Sequence, residues 1–374
     1  MKIFLLVFSL FFLTSCTLPN RQLEKQGIMT ISGFDLKDGE GVILTASFLQ
    51  FDPHKQKSYY VISAEGITSK DARQEMEKKT SHHVSSGQLR AILFQKKLAE
   101  EQGLMYLLDT VQRDSNIGSL VHVLIAEDSA ENIINASEFE DAQDVGIYIY
   151  RMMEKMRIDE SLTNTNLHDF MSILYEVGID PAVPVIKYEE GDPPFIDKTA
   201  VFRKDKVVGT ISLDETMYIK YLRVSHDGYG MKTIAIPIEK IVDKEEMKKY
   251  NHDTIRVSFL PSDSFSKIEV LDKHHFLLEF DIKGNIYEIS VEIPLDAKKI
   301  KKLEKEINKA MEKELNELLA KLQKMGSDPF GFGRKLKSKR EYANLTEKEW
   351  YEMYPKIRID TDINVTIKQY GTVD

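Results

Sequence analysis

The stretch 296–326, "DAKKIKKLEKEINKAMEKELNELLAKLQKMG", decides the fold of the C-terminal third. Ile300, Leu303, Ile307, Met311, Leu315, Leu318, Leu322 and Met325 recur at spacings of three and four, with Lys and Glu between them. On a 3.6-residue period those apolar side chains share one face and the charges take the other. Gly326 stands where a helix commonly closes in the left-handed conformation, and Pro329 follows. At 1.5 Å per residue the helix runs about 40 Å. Such a stripe needs a cover. The sheet of its own domain is expected, and a coiled coil with another chain is the alternative.

Strands flank this helix. "KTIAIPIE" (232–239) and "DTIRVSFL" (253–260) are β-rich, and "HHFLLEFDIKGNIYEISVEI" (274–293) reads as a meander turning at Lys283-Gly284-Asn285. Beyond the helix, Phe330 and Phe332 are expected to plug the space between helix and sheet. "GFGRKLKSKR" (331–340) reads as a solvated basic loop; phospholipid head groups or an acidic partner are the alternatives. Thr346 stands three residues before Glu349, a capping-box spacing. "IRIDTDINVTIKQYG" (357–371) alternates apolar and polar, as a half-buried strand closing the last sheet does.

Toward the N-terminus strands and helices alternate. "GVILTASFLQF" (41–51), "SYYVISAEG" (58–66), "LRAILF" (89–94) and "SLVHVLIAE" (119–127) read as strands. Helical sequence covers 69–79, with Ser69 as cap, then 96–114, 129–137, 145–157 and 166–178. That order favours an α/β domain. "YEEGDPPF" (188–195) punctuates the chain as a domain boundary. "TAVFRKDKVVGTIS" (199–212) then reads as a hairpin about Arg203-Lys204-Asp205-Lys206, and a helix over 212–222 is capped by Ser212. The fold class is therefore α+β or mixed α/β and multi-domain, with mixed and antiparallel sheets packed with helices and one long C-terminal-domain helix. The expected division is an N-terminal α/β domain at 16–190, a middle domain at 195–250, and a C-terminal sheet with the long helix at 251–374.

The chain has 374 residues, 42% hydrophobic and 30% charged, with net charge −9. That composition is globular, and the acidic balance repels nucleic acid, so no nucleic-acid partner is expected. Lys2, the apolar run from Ile3 to Leu13, and Thr14-Ser15 follow the pattern of a bacterial export signal over residues 1–15. The run is too short for the roughly 20 residues that span a bilayer. Cys16 is the single cysteine, so no intramolecular disulfide can form. Leu13-Thr14-Ser15-Cys16 resembles the lipobox of bacterial lipoproteins. There the cysteine becomes an N-palmitoyl, S-diacylglycerol N-terminus, and two or more acyl chains hold a protein to a membrane firmly.

Catalytic constellations are missing. The sequence has no G-x-S-x-G elbow, H-E-x-x-H, Walker lysine loop or G-x-G-x-x-G. His274-His275 on one strand point to opposite faces, and His82-His83 falls in a polar loop. Asp360, Asp362 and Asn364 mimic the start of a calcium loop but fit the solvent face of a strand. No catalytic residue, metal site or cofactor is expected.

Together, several stretches resemble one family. They are the lipobox, "NLHDFMSILYEVGIDPAVPVI" (166–186), "TAVFRKDKVVGTISLDET" (199–216), the long helix running into "DPFGFGRKL" (328–336) with Trp350, and the last strand ending in Gly371. This is similar to the Ger(x)C family, the C-subunit lipoproteins of spore germinant receptors, over nearly the whole mature chain. Thr17 stands where that family commonly has tryptophan, which leaves the lipobox intact; the family has no catalytic residues to carry over, and only Cys16 maps, as the lipid-attachment residue. The resemblance implies three mixed α/β domains and no catalysis. It implies a lipid anchor on the outer face of the spore inner membrane. Action with two integral membrane subunits, A and B, in sensing nutrients also follows from it. A nutrient-capturing substrate-binding lipoprotein is the alternative function.

Overall fold

The computed structural model describes residues 26–49, 58–137, 139, 142–159, 162, 165–223 and 230–370. Cys16 and its leader lie outside them. The described residues form two sheets with helices packed between and around them.

The first sheet runs β3-β2-β1-β5-β6-β7-β8-β9, with β4 added beside β1. Its strands are β1 Gln26–Leu36, β2 Val42–Leu49, β3 Tyr59–Gly66, β4 His83–Ser85, β5 Ala91–Gln95, β6 His122–Ala126, β7 Ala182–Lys187, β8 Phe195–Arg203 and β9 Lys206–Ser212. The centre, β1-β5-β6-β7, is parallel, and antiparallel hairpins close both ends. Parallel strands are covered on both faces, which is why "AILF" and "VLIA" read as unbroken apolar runs. One face is covered by α1 Ser69–Glu77, α2 Lys96–Glu101, α3 Met105–Gln112 and α6 Leu167–Tyr175. The other is covered by α4 Ala130–Asn135 and α5 Val145–Asp159.

The second sheet, β10-β11-β12-β13, uses Lys232–Pro237, Thr254–Asp272, His275–Ile289 and Arg358–Tyr370. Its inner face carries the long helix α9, Ala297–Met325, together with α7 Leu213–Arg223, α10 Phe332–Lys337 and α11 Glu347–Met353. A short helix, α8 Lys244–Met247, links β10 to β11. The α9 stripe from Ile300 to Leu322 is buried in this core, so the helix lies on its own sheet. Asp296 caps it and Gly326 closes it at φ 70°. Two α9 side chains also serve the edge strand: Asn308 accepts from Val365 N at 2.7 Å and Glu304 from Ile367 N at 2.9 Å. That satisfies an edge that would otherwise offer unpaired donors.

β7 and β8 pair antiparallel on either side of the connection at 188–194, with one register shift at Val185/Ile186, and Val201 and Ile211 of the first sheet reach into the second core. Four local expectations change. The hairpin turn falls at Lys273-His274, and Gly284 lies inside β12, where a Cβ would meet Phe259 and the Leu260 carbonyl at 2.5 Å. The glycine there admits a neighbouring strand and makes no turn. Thr68, in place of Ser69, caps α1. His83 belongs to a short strand beside β1, where a loop was expected. Part of 331–340 is the helix α10, because Phe332 and Leu336 anchor one side of it in the core.

Candidate functional site

The residues singled out in the sequence do not converge. His275 Nε2 meets Asp360 Oδ2 at 2.7 Å, and Asp360 also accepts from Arg358 at 2.9 Å. Asn364 turns to Asp281. Among the described residues no group of three or more His, Cys, Asp or Glu is placed to hold a metal ion. Arg334, Lys335, Lys339 and Arg340 are exposed, with Arg334 3.6 Å from Glu176. Phe330 and Phe332 are buried, and Phe332 stacks edge-on against Phe276 at 5.6 Å.

Two unanticipated arrangements stand out. The first is the joint between the sheets, built from two Asp-Pro steps. After α6 the chain turns through Gly178 into Asp180-Pro181; after α9 it turns into Asp328-Pro329. Asp180 N donates to Asp328 O at 2.9 Å, and Asp328 N donates to Asp180 Oδ2 at 2.8 Å. Asp180 Oδ1 accepts from Lys204 N at 2.8 Å and from the Tyr351 hydroxyl at 2.6 Å. The Asp328 carboxylate accepts from Gly331 N at 2.8 Å and Gly333 N at 3.0 Å, which starts α10. Arg334 N then donates to Gly178 O at 2.7 Å, and Ser327 Oγ to Phe202 O at 2.6 Å. Both carboxyls are buried. Burial pushes Asp328 up to about 7 against the pull of Gly333 N–H, and the nearby Asp180 charge adds to the rise. Burial likewise raises Asp180.

At this joint two backbones touch. Gly178 has φ +87°, and a Cβ there would sit 2.2 Å from the carbonyl carbon of Gly333. Gly178→Ala is expected to lower stability by more than about 2 kcal/mol, since neither backbone can yield without opening the joint. Gly39 has φ +93° with nothing within 4 Å of its Cβ position. Gly39→Ala thus carries only the backbone term of about 1–2 kcal/mol. Urea midpoints of the two variants check this; equal losses would refute a close approach at residue 178.

The second arrangement is a cleft of about 520 Å³ between α1 and α3, over the face of β1, β2 and β5. Met29, Phe34, Leu44, Ile92 and Val111 line its apolar walls. Arg73 from α1 and Asp114 beyond α3 meet at 2.6 Å beside it. Burial opposes ionisation of Asp114, yet hydrogen bonds from Asn116 and Arg73 hold its carboxyl below the usual range. Ser32 and Ser86 lie deeper, 5% and 1% exposed. The Ser86 hydroxyl has no hydrogen-bond partner among the described residues. A smaller cleft of about 350 Å³ is lined by Arg90, His122, Tyr150, Glu154 and Arg157. His122 Nε2 lies 3.4 Å from Glu154 there, and burial holds the imidazole below its usual range.

Residues 19–188 match the spore germination protein N-terminal domain, and residues 197–371 match the spore germination B3/GerAC-like C-terminal domain. The chain is 24% identical over 316 residues to spore germination protein GerQC of Bacillus cereus, covering 84% of this chain and 83% of that one. It is 22% identical over 330 residues to spore germination protein KC of Bacillus subtilis strain 168, covering 83% and 79%. The crystal structure of the GerBC protein shares the fold, with a TM-score of 0.54 at 18% identity over 90% of this chain and 96% of that chain.

Proposed function

Because the chain belongs to the GerAC-like family of spore germination proteins, we propose that it is a non-catalytic, membrane-anchored lipoprotein subunit of a nutrient germinant receptor. The observation that carries this reading is the match of both family domains along the chain, together with relatives named for spore germination. In this reading residues 1–15 are removed and Cys16 carries the lipid. The protein then sits on the outer face of the spore inner membrane beside the integral membrane A and B subunits. The division at 16–190, 195–250 and 251–374 is part of the proposal. Among the described residues no helix is long and apolar enough to cross a membrane, so a lipid at Cys16 supplies the attachment in this account. The nutrient-capturing alternative draws on the cleft between α1 and α3.

Cys16→Ala is expected to leave the fold intact and abolish incorporation of a fatty-acid analogue in labelled cells; label retained on the variant refutes the anchor. Spores lacking the gene are expected to lose germination with one class of nutrient while keeping it with others. Unchanged germination with every nutrient refutes the receptor role.

A further inference from the structure

We propose that the cleft between α1 and α3 is a binding site for a small monocarboxylate with an apolar body. Its volume of about 520 Å³ lies within the range of about 300–1,000 Å³ typical of small-molecule sites. Its floor is apolar, and polar and charged side chains from α1 and the end of α3 rim it. Phe34, Leu44 and Val111 give the body an apolar surface to lie against.

The polar groups decide what the other end of the ligand must be. Ser86 is 1% exposed, and its hydroxyl has no partner among the described residues. A buried hydroxyl without a hydrogen bond is costly, and a ligand oxygen accepting from it removes that cost. Ser86 lines the same cleft as Arg73. The Arg73 guanidinium meets Asp114 through Nη1 at 2.6 Å and faces Glu77 through Nε at 3.5 Å. Five N–H donors in a planar fork leave it donors for a third carboxylate. Lys70 and Arg113 also line the cleft; Arg113 is held by Asp109 at 3.0 Å, so Lys70 and the remaining donors of Arg73 are the groups left to receive an anion. A neutral ligand forgoes Arg73, and an ammonium is repelled. A carboxylate without an apolar body leaves the walls empty.

Phenylacetate is the probe, with benzyl alcohol, acetate and phenethylamine as its neutral, headgroup-only and cationic counterparts. Titrations use the full chain in detergent micelles, with empty micelles as the blank, followed by calorimetry and saturation-transfer NMR. Phenylacetate is expected to bind with a dissociation constant of about 1 mM or tighter. The three counterparts are expected to bind at least about tenfold more weakly, each having lost one of the two interactions. Arg73→Gln is expected to weaken phenylacetate about tenfold, and Ser86→Leu, which fills the cleft, to remove its binding at an unchanged melting temperature. Failure of phenylacetate to bind, equal binding of benzyl alcohol, or undiminished binding by a folded variant overturns the proposal. Arg73 is partly exposed at the mouth, so its variant keeps the test decisive if Ser86→Leu does not fold.

Discussion

Leu315→Asp is expected to abolish the cooperative melt of the second core. Leu315 is fully buried in the α9 stripe, between Met311 and Leu318. Truncating such a leucine costs about 2–5 kcal/mol through lost transfer energy and the cavity left behind. A carboxylate in its place adds several kcal/mol, because nothing in that apolar stripe solvates or pairs with it. Whole domains are stable by only about 5–15 kcal/mol, so the sum approaches or exceeds the margin. Lys313, on the opposite face with 78% of its side chain exposed, is the control. Lys313→Asp is expected to change stability by no more than about 0.5 kcal/mol. Thermal melts by circular dichroism compare the two. A monomer whose Leu315→Asp variant melts like the parent would put the stripe against another chain.

Asp328→Ala is expected to cost about 3–5 kcal/mol, since it strands the buried Gly331 and Gly333 N–H donors and loosens the contact with the first sheet. The same residue sets a pH dependence. Its folded value, near 7, lies above its ordinary value of 3.8. The folded protein therefore holds a proton in that window that the unfolded chain has released. The stability this contributes is fully present below 3.8 and is lost as pH rises through 7, at about 1.4 kcal/mol per pH unit in between. His122 has the opposite sign. Burial lowers its value, so its contribution is fully present above 6.5 and is lost as pH falls below that toward the lower folded value. Comparison with Asp328→Asn cancels the histidine. The stability advantage of the parent over that variant is expected to shrink steadily from pH 5 to pH 7. A constant difference in urea unfolding across that window would show that Asp328 does not titrate with the joint.

Most of the secondary structure was legible because its signals are local. The 3.6-residue stripe from Ile300 to Leu322, the Thr346–Glu349 capping box and the Ser212 cap each lie within a few turns of chain, and the structure shows all three. The hairpin at 199–212 was readable for the same reason, with Lys204 at φ 58° at its tip. β7 is absent from the reading of the sequence, and Pro184 suits an interior strand poorly. It is tolerated since β6 pairs only with Val185 and Ile186. The supposed turn at Lys283-Gly284-Asn285 failed because glycine also marks a place where another strand passes close, and only the neighbour, Phe259, tells the two apart.

The candidate sites were least legible. Asp328 opens the conspicuous "DPFGFG" stretch, and its phenylalanines were recognised as a plug, but nothing near it names Asp180, 148 residues earlier. Arg73 and Asp114 are likewise 41 residues apart, each an ordinary surface charge in its own segment. The sequence by itself determined where most helices and strands form, the buried face of the long helix, the resemblance to a lipoprotein leader and the family of the chain. Only the tertiary structure decided that two Asp-Pro steps lock the sheets together and that α1 and α3 stand apart over a cleft. Periodicity and capping are set by neighbours along the chain, whereas the docking of two sheets is set by shape and burial summed over whole cores.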